Sequence, residues 1–285
     1  MDIDPSKGLD VTSLPIAEDT LHTIGLLPST QAPPAPEAPP SLEMLAQELT
    51  VAQDARDKLA QSVKAVLDEI SKTGAARPEP VNEAVQEIII VTRTLSTHAT
   101  FMAMSHGPHL DASFNNHSLV VCTLATIIGQ ALGYDLMKLH ELATGALLHD
   151  IGLIQLPRRL FRTSTSLSSE DLAAFHHHPR LGAIAIEKQR EFPQTVRHIA
   201  AEQHVTPEGQ GYPSETSAGS TAEASRIVMI ADRYDELLTG FGGLRRCLPT
   251  RQFNNCSKRE NSAVSTLVSC LCSSSWLAST PSTAS

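Results

Sequence analysis

The sequence predicts an all-α fold, a helical bundle flanked by disordered ends, on three observations. Apolar residues recur at steps of three and four through the middle of the chain. Capping residues stand at the head of those periodic stretches, at Asp135 and at the pair Ser168 and Asp171. Histidines and aspartates with metal-ligand chemistry fall on successive helical stretches, so a bundle would point them at one centre.

The ends have another character. Residues 1–40 are rich in Pro, Ala and Thr, including Ala-Pro-Pro-Ala-Pro-Glu-Ala-Pro-Pro, and read as a stiff, unfolded linker. Residues 241–285 are serine-rich, hold Cys247, Cys256, Cys270 and Cys272, and keep neither helical nor strand periodicity. An aromatic content of 4% and 18 prolines agree with substantial unfolded length, while 41% apolar residues suffice for a core in part of the chain. The net charge of −9 argues against a nucleic-acid surface, which needs a basic patch. The opening Met-Asp-Ile-Asp-Pro has neither the basic start nor the apolar run of a signal peptide. The longest apolar stretch, Leu119 to Leu132, is interrupted by Thr123, Thr126 and Gln130 and is too short for a bilayer. The expectation is a cytoplasmic chain without membrane contact. Of the tail cysteines only Cys270 and Cys272 are close, so no structural zinc site is expected there.

From 41 to 75 a helix is predicted, with Leu42, Leu45, Leu49, Ala52, Leu59, Val63, Val66 and Ile70 on one seam and Arg56 breaking it. Two readings stand: a coiled coil that pairs two copies through residues 41–70, or an amphipathic helix lying on its own domain. Gly74, Pro78 and Pro80 end it, and a connecting helix from Val81 to Met104 is expected within residues 76–110. The run His106, Gly107, Pro108, His109 reads as a loop. Asp135 caps a helix on which Leu139, Leu142, Ala146 and His149 share a face, which puts His149 on the buried side. The helix opened by Ser168 is expected to run to His178-Pro179.

The chemistry gathers around His149-Asp150. A histidine next to an aspartate lets one helical turn offer an imidazole to one cation and a carboxylate able to bridge two, which is the logic of two-metal hydrolysis. His117, His178, His204 and Asp232 are placed to complete such a site. All are nitrogen and oxygen donors with no thiolate, which favours octahedral iron or manganese over tetrahedral zinc. His176 and His177 are not expected to join His178, since neighbours on a helix point about 100° apart.

Five motifs in order carry a family resemblance: His117-Ser118 ahead of an apolar helix, His149-Asp150-Ile151-Gly152, His178-Pro179 followed by Leu181-Gly182, His204 ahead of Gly209-Gln210-Gly211-Tyr212-Pro213, and Ala231-Asp232-Arg233-Tyr234-Asp235. From Asp111 to about Gly240 the chain resembles the HD-GYP family, the cyclic di-GMP phosphodiesterase branch of the HD hydrolases. The resemblance implies two divalent metals, iron or manganese, held by His117, His149, Asp150, His178, His204 and Asp232, with Asp150 bridging them as the catalytic carboxylate. It implies substrate contacts from Gly211, Tyr212 and Pro213, and an activated water attacking phosphorus in line. The first ten residues resemble the end of the accessory domain that precedes many HD-GYP domains. Codons permitted for Thr250 to Ser285 can be chosen so that a shifted frame reads like the family's C-terminal segment, and the tail is therefore read as the product of a frameshift.

Several positions depart from the family pattern. Leu153 stands where the family has a lysine that meets a substrate phosphate, and Gln203, His204, Val205, Thr206 replace His-His-Glu-Arg. Glu208 replaces an aspartate, and Phe241 stands where an arginine is usual. Three functions follow for test: a phosphodiesterase opening cyclic di-GMP to pGpG or GMP, a non-catalytic module that binds the dinucleotide or a diguanylate cyclase domain, and a general HD-type nucleotide phosphohydrolase.

Overall fold

A computed structural model describes residues 42–105, 113–160, 168–206, 209–213 and 221–241. The linker, the loop at 106–109, Glu208 and the tail after Phe241, with the accessory-domain and frameshift readings that rest on them, lie outside the described residues. Every regular element among the described residues is helical: α1 (Leu42–Thr73), α2 (Pro78–Thr94), α3 (Thr97–Ser105), α4 (Phe114–Ala131), α5 (Leu136–Leu148), α6 (Ser169–Phe175), α7 (His178–Glu187), α8 (Gln194–Glu202) and α9 (Glu223–Thr239). Short 3-10 turns at Ile151–Gln155 and Arg158–Leu160 join α5 to α6. None of these helices is long and apolar enough to cross a membrane.

From Ala52 to Ile70 the seam of α1 packs within the chain. Leu59, Val63, Val66 and Ile70 are buried in the main core with Val81, Val85 and Ile88 of α2, while Ala52 packs with Ala99 and Ala103 of α3. Arg56, the polar break in the seam, is 3% exposed, and its guanidinium donates to the Asn116 side chain, one residue before His117. Gly74 ends α1 at φ +71°, a conformation that favours glycine. Pro78 then sits in the first turn of α2, where its missing N–H costs no helical bond.

The single helix expected from Val81 to Met104 is two. Leu95 is extended (φ −95°, ψ 155°), and the Ser96 hydroxyl accepts from the Ala99 amide at 3.2 Å, opening α3. The Ser96 amide itself donates to Glu48 of α1 at 2.9 Å, so the break is held by a partner far away in sequence. The helix expected to run from Ser168 to His178 also divides. Ser168 caps it through the Asp171 amide at 3.1 Å, but α6 stops at Phe175 and α7 starts afresh on His178, with Pro179 in its first turn.

The centre of the molecule is α4, flanked by α5 and α9, with α8 against α5 and α7 against both α8 and the first 3-10 turn. A fully buried row of α4, including Leu119, Val120, Leu124 and Ala125, meets Leu142, Ala143 and Ala146 of α5 and Val228 and Ala231 of α9. Burying side chains of this size stabilises by about 1.5–3 kcal/mol each, and it fixes the axes of the helices that carry the polar centre.

Candidate metal centre

His117 projects from the first turn of α4, whose start is fixed by Ser113 accepting from the Asn116 amide at 3.3 Å. His149 closes α5, capped at its other end by Asp135 through the Lys138 amide at 2.9 Å. Asp150 follows as the chain leaves α5 for the 3-10 turn. His178 is the first residue of α7, His204 follows α8, and Asp232 lies midway along α9. His117, His149 and His178 are fully buried, and Asp150 and Asp232 nearly so.

The six expected side chains meet. Asp150 divides them into two halves through its two oxygens. Oδ2 lies 3.5 Å from Nε2 of both His117 and His149, and Oδ1 lies 3.1 Å from His178 Nε2. Asp232 Oδ1 joins the first half, 3.2 Å from His117 Nε2 and 3.8 Å from His149 Nε2. Its Oδ2 is 3.7 Å from His204 Nδ1. The donor atoms of His117, His149 and Asp150, and those of Asp150, His178 and His204, each lie within 4.8 Å of one another.

The far sides of the imidazoles decide what the near sides offer. His149 Nδ1 is 2.8 Å from the Ala146 carbonyl, His178 Nδ1 is 2.8 Å from the Phe175 carbonyl, and His117 Nδ1 is 2.7 Å from Asp235 Oδ2. Each partner only accepts, so each Nδ1 carries its hydrogen and in the neutral ring Nε2 presents a lone pair. Yet His117 and His149 face each other Nε2 to Nε2 at 3.2 Å, and His178 and His204 do so at 3.1 Å. In the first pair both tautomers are fixed, so lone pairs at that distance repel unless a cation or a proton lies between them. In the second, His204 Nδ1 is 3.7 Å from Asp232 Oδ2 and its Nε2–H can donate to His178. The donor set therefore fits divalent metal, and outer hydrogen bonds that fix the tautomer are what metal-ligating histidines have elsewhere.

Electrostatics agree. Burial pulls the His117 pKa down, but hydrogen bonds to Asp150, Asp232 and Asp235 outweigh it and hold the value well above that of a free imidazole. Burial pushes Asp150 up, and the charges of His149 and His178 with hydrogen bonds from His117 and His178 more than reverse this, leaving it well below the usual carboxylate range. Asp232 is lowered in the same way against its burial, by hydrogen bonds from His117 and His149. His204, where burial prevails, falls to about 4. One turn beyond Asp232, burial and then the Asp232 charge push Glu236 up to about 8, although Arg233 lies 3.1 Å away. Asp150 and Asp232, two buried carboxylates beside the histidine Nε2 atoms, are what a cation there would neutralise.

Two glycines make the arrangement possible. A Cβ at Gly152 would lie 2.0 Å from the His178 carbonyl oxygen, so the turn bearing Asp150 can rest on the start of α7 only without a side chain there. Gly211 has φ +106°, and a Cβ there would lie 1.9 Å from the His204 carbonyl oxygen. The Tyr212 amide donates to that oxygen at 3.2 Å. This folds the Gly-Tyr-Pro segment back onto His204, with the Tyr212 ring stacked 4.5 Å from His204 on one side and 3.9 Å from His176 on the other.

Three residues contribute here in ways the motifs do not show. Asp235 is the last letter of a motif and has no role in it, yet it orients His117; its spacing of three from Asp232 places both on one helical face and could have signalled this. Phe241 stacks on the His117 ring at 3.9 Å and 12° between planes. Gln203, which by residue type is a lost ligand, fills its position: its Nε2 lies 3.0 Å from Asp150 Oδ1. Leu153, where the family's lysine meets substrate, is fully buried.

A family model described as HD domain matches residues 96–264, beginning ahead of Asp111 and ending beyond Gly240. A cyclic di-GMP phosphodiesterase of Pseudomonas aeruginosa is 23% identical over 235 residues, covering 82% of this chain and 55% of its own length. A cyclic di-GMP phosphodiesterase response regulator of Xanthomonas campestris is 28% identical over 117 residues, 41% of this chain and 31% of its own length. The chain thus spans about half or less of these relatives. Among solved structures, Bd1817, a HDG"Y"P protein from Bdellovibrio bacteriovorus, superposes with a TM-score of 0.57 at 25% identity, covering 68% of this chain and 66% of that one. With the family match spanning more than half of its residues, the chain belongs to the HD domain family, in the HD-GYP group that its motifs resemble.

Proposed function

We propose that the chain is a divalent-metal-dependent phosphodiesterase that opens cyclic di-GMP to pGpG or GMP. The observation that carries this reading is Asp150, whose two oxygens face two separate histidine sets. His117, His149, Asp150 and Asp232 would hold one cation and Asp150, His178 and His204 the other. Bound there, iron or manganese would supply Lewis-acid polarisation of a phosphoryl oxygen and acidify water. The chain's own residues do the rest. Asp150 orients both halves, Asp235 fixes the His117 tautomer, and the buried walls of α4, α5 and α9 exclude bulk water and so strengthen every charge interaction inside. Gly211, Tyr212 and Pro213 form the rim on which the dinucleotide rests, with Tyr212 held in place between His176 and His204. The names of the curated relatives support the substrate class.

A second reading has its own observation. Leu153 is fully buried and Phe241 is stacked on His117, so neither position offers the phosphate a cation, and each charged hydrogen bond lost is worth about 1.5–3 kcal/mol. On this reading the fold binds metal and the dinucleotide, or a diguanylate cyclase domain, without turnover. Metal analysis combined with a cyclic di-GMP turnover assay separates the two. Metal with turnover supports the enzyme, metal without turnover supports the binding module, and absence of metal from protein supplied with iron or manganese sinks both.

A further inference from the structure

Gln203 is fully buried at the edge of the second half of the centre. Its Nε2 lies 3.0 Å from Asp150 Oδ1, 3.0 Å from the His149 carbonyl oxygen and 3.4 Å from His178 Nε2. An amide nitrogen carries two hydrogens, so three acceptors share two donors. The other end of the same amide has the opposite imbalance, because among the described residues Gln203 Oε1 has no hydrogen-bond partner. A buried amide oxygen without a donor is costly and calls for an explanation.

We propose that Gln203 is itself a ligand of the second half. When a cation joins Asp150 Oδ1, His178 and His204, the amide turns over about its last side-chain torsion and gives its carbonyl oxygen to the cation. The two ends of an amide are nearly the same size, so the turn needs no movement of the surrounding core. The oxygen then takes the place now held by Nε2, beside Asp150 Oδ1 and His178 Nε2, the two donors a cation there would share. The inference rests on the reading of the cluster as a metal centre, and it goes further in giving the position occupied by histidine in the family pattern a working donor in this chain.

Two properties follow from the donor's chemistry. A neutral carbonyl oxygen is a hard donor, so this half favours manganese or magnesium over zinc. The turn also withdraws the N–H groups from the His149 carbonyl and from Asp150, so this half binds more weakly than the half built on His117, His149 and Asp232, where no side chain needs to rearrange.

The test is a calorimetric titration of the metal-free full chain with Mn²⁺, with bound metal counted by equilibrium dialysis. The expected result is two steps, the second weaker. Gln203→Met fills a similar volume with neither a hard donor nor an N–H, and should keep the first step while weakening the second at least about tenfold. Gln203→Glu keeps an oxygen ligand and removes the N–H, and should tighten the second step. A second step unchanged or tighter in Gln203→Met overturns the proposal, as does uptake of a single cation by the parent chain or a second step no tighter in Gln203→Glu. Should Gln203→Met lose its first step through misfolding, Gln203→Glu decides alone. Failure of the parent chain to bind any Mn²⁺ would instead overturn the metal-centre reading, so the two failures are distinguishable.

Discussion

His117 donates its Nδ1 hydrogen to Asp235 Oδ2 at 2.7 Å, and both side chains are fully buried. The bond leaves Nε2 aimed at Asp150, Asp232 and His149 and fixes which nitrogen holds the lone pair. Asp235→Asn keeps the volume but can offer its N–H group to His117, which favours the wrong tautomer. It should weaken metal binding about 10–100-fold while the ligands stay in place. Calorimetric titration with Mn²⁺ checks this, and an unchanged affinity would show that Asp235 only fills space.

Asp150 serves both halves of the centre and His204 only one. Asp150→Ala should therefore reduce bound iron or manganese to background, while His204→Ala should keep a fraction of it. Metal analysis of the purified variants decides, and equal metal in Asp150→Ala and the parent is the result that counts against a shared carboxylate.

Metal uptake should release protons. Against its burial, hydrogen bonds to Asp150, Asp232 and Asp235 hold His117 well above the ordinary imidazole value, so an incoming cation competes with a proton held more tightly than on a free imidazole. Affinity should then rise with pH toward the raised His117 value and level off beyond it, with about one proton released at that site. In the metal-free chain the same group contributes stability that is fully present below pH about 6.5 and is lost as pH rises through its folded value. Asp150, being lowered, contributes in the opposite sense, with stability lost on acidification below about pH 4. Titrations in buffers of different ionisation enthalpy give the proton count, and melting curves of chelator-treated protein give the stability limbs.

Restoring the family's lysine at 153 should not restore a phosphate contact. Leu153 is fully buried in the turn after Asp150, so Leu153→Lys places an unpaired ammonium in the core, at a cost of about 3–5 kcal/mol. Thermal denaturation should show a lower Tm and the turnover assay no gain. A variant that melted like the parent and hydrolysed cyclic di-GMP faster would show that the side chain reaches the substrate.

Gly211→Ala should lose both the backbone turn and the ring stack. Its φ of +106° and the 1.9 Å approach of the new Cβ to His204 predict destabilisation of more than about 1 kcal/mol. The displaced Tyr212 would leave His204 uncovered, and loss of Tyr212 protection from chemical modification would report it.

Much of this centre is legible in the sequence, for a reason particular residues make plain. The period of Leu139, Leu142 and Ala146 places His149 inside, and Asp135 marks the start of its helix; both signals are local, so the sequence contains them. The break at Leu95 and Ser96 is not legible, because what holds it is Glu48, which no nearby residue announces. The same holds for Phe241, whose stacking on His117 is set by the path of the chain after α9, and for Gln203, where the residue type suggests absence and the packing supplies a side chain in contact with Asp150. Periodicity yields which face is buried. It does not yield who waits on the other side.

The hydrogen bond from His117 to Asp235 joins positions 118 residues apart. During synthesis at roughly 5–20 residues per second, α4 emerges from the ribosome roughly 6–24 seconds before the aspartate that completes it. Throughout that interval His117 and its neighbours have no α9 to bury them and no carboxylate from it to set the tautomer. The half of the centre built on His117 and Asp232 is thus completed only once α9 has been made, well after Asp150, His178 and His204 of the other half have emerged.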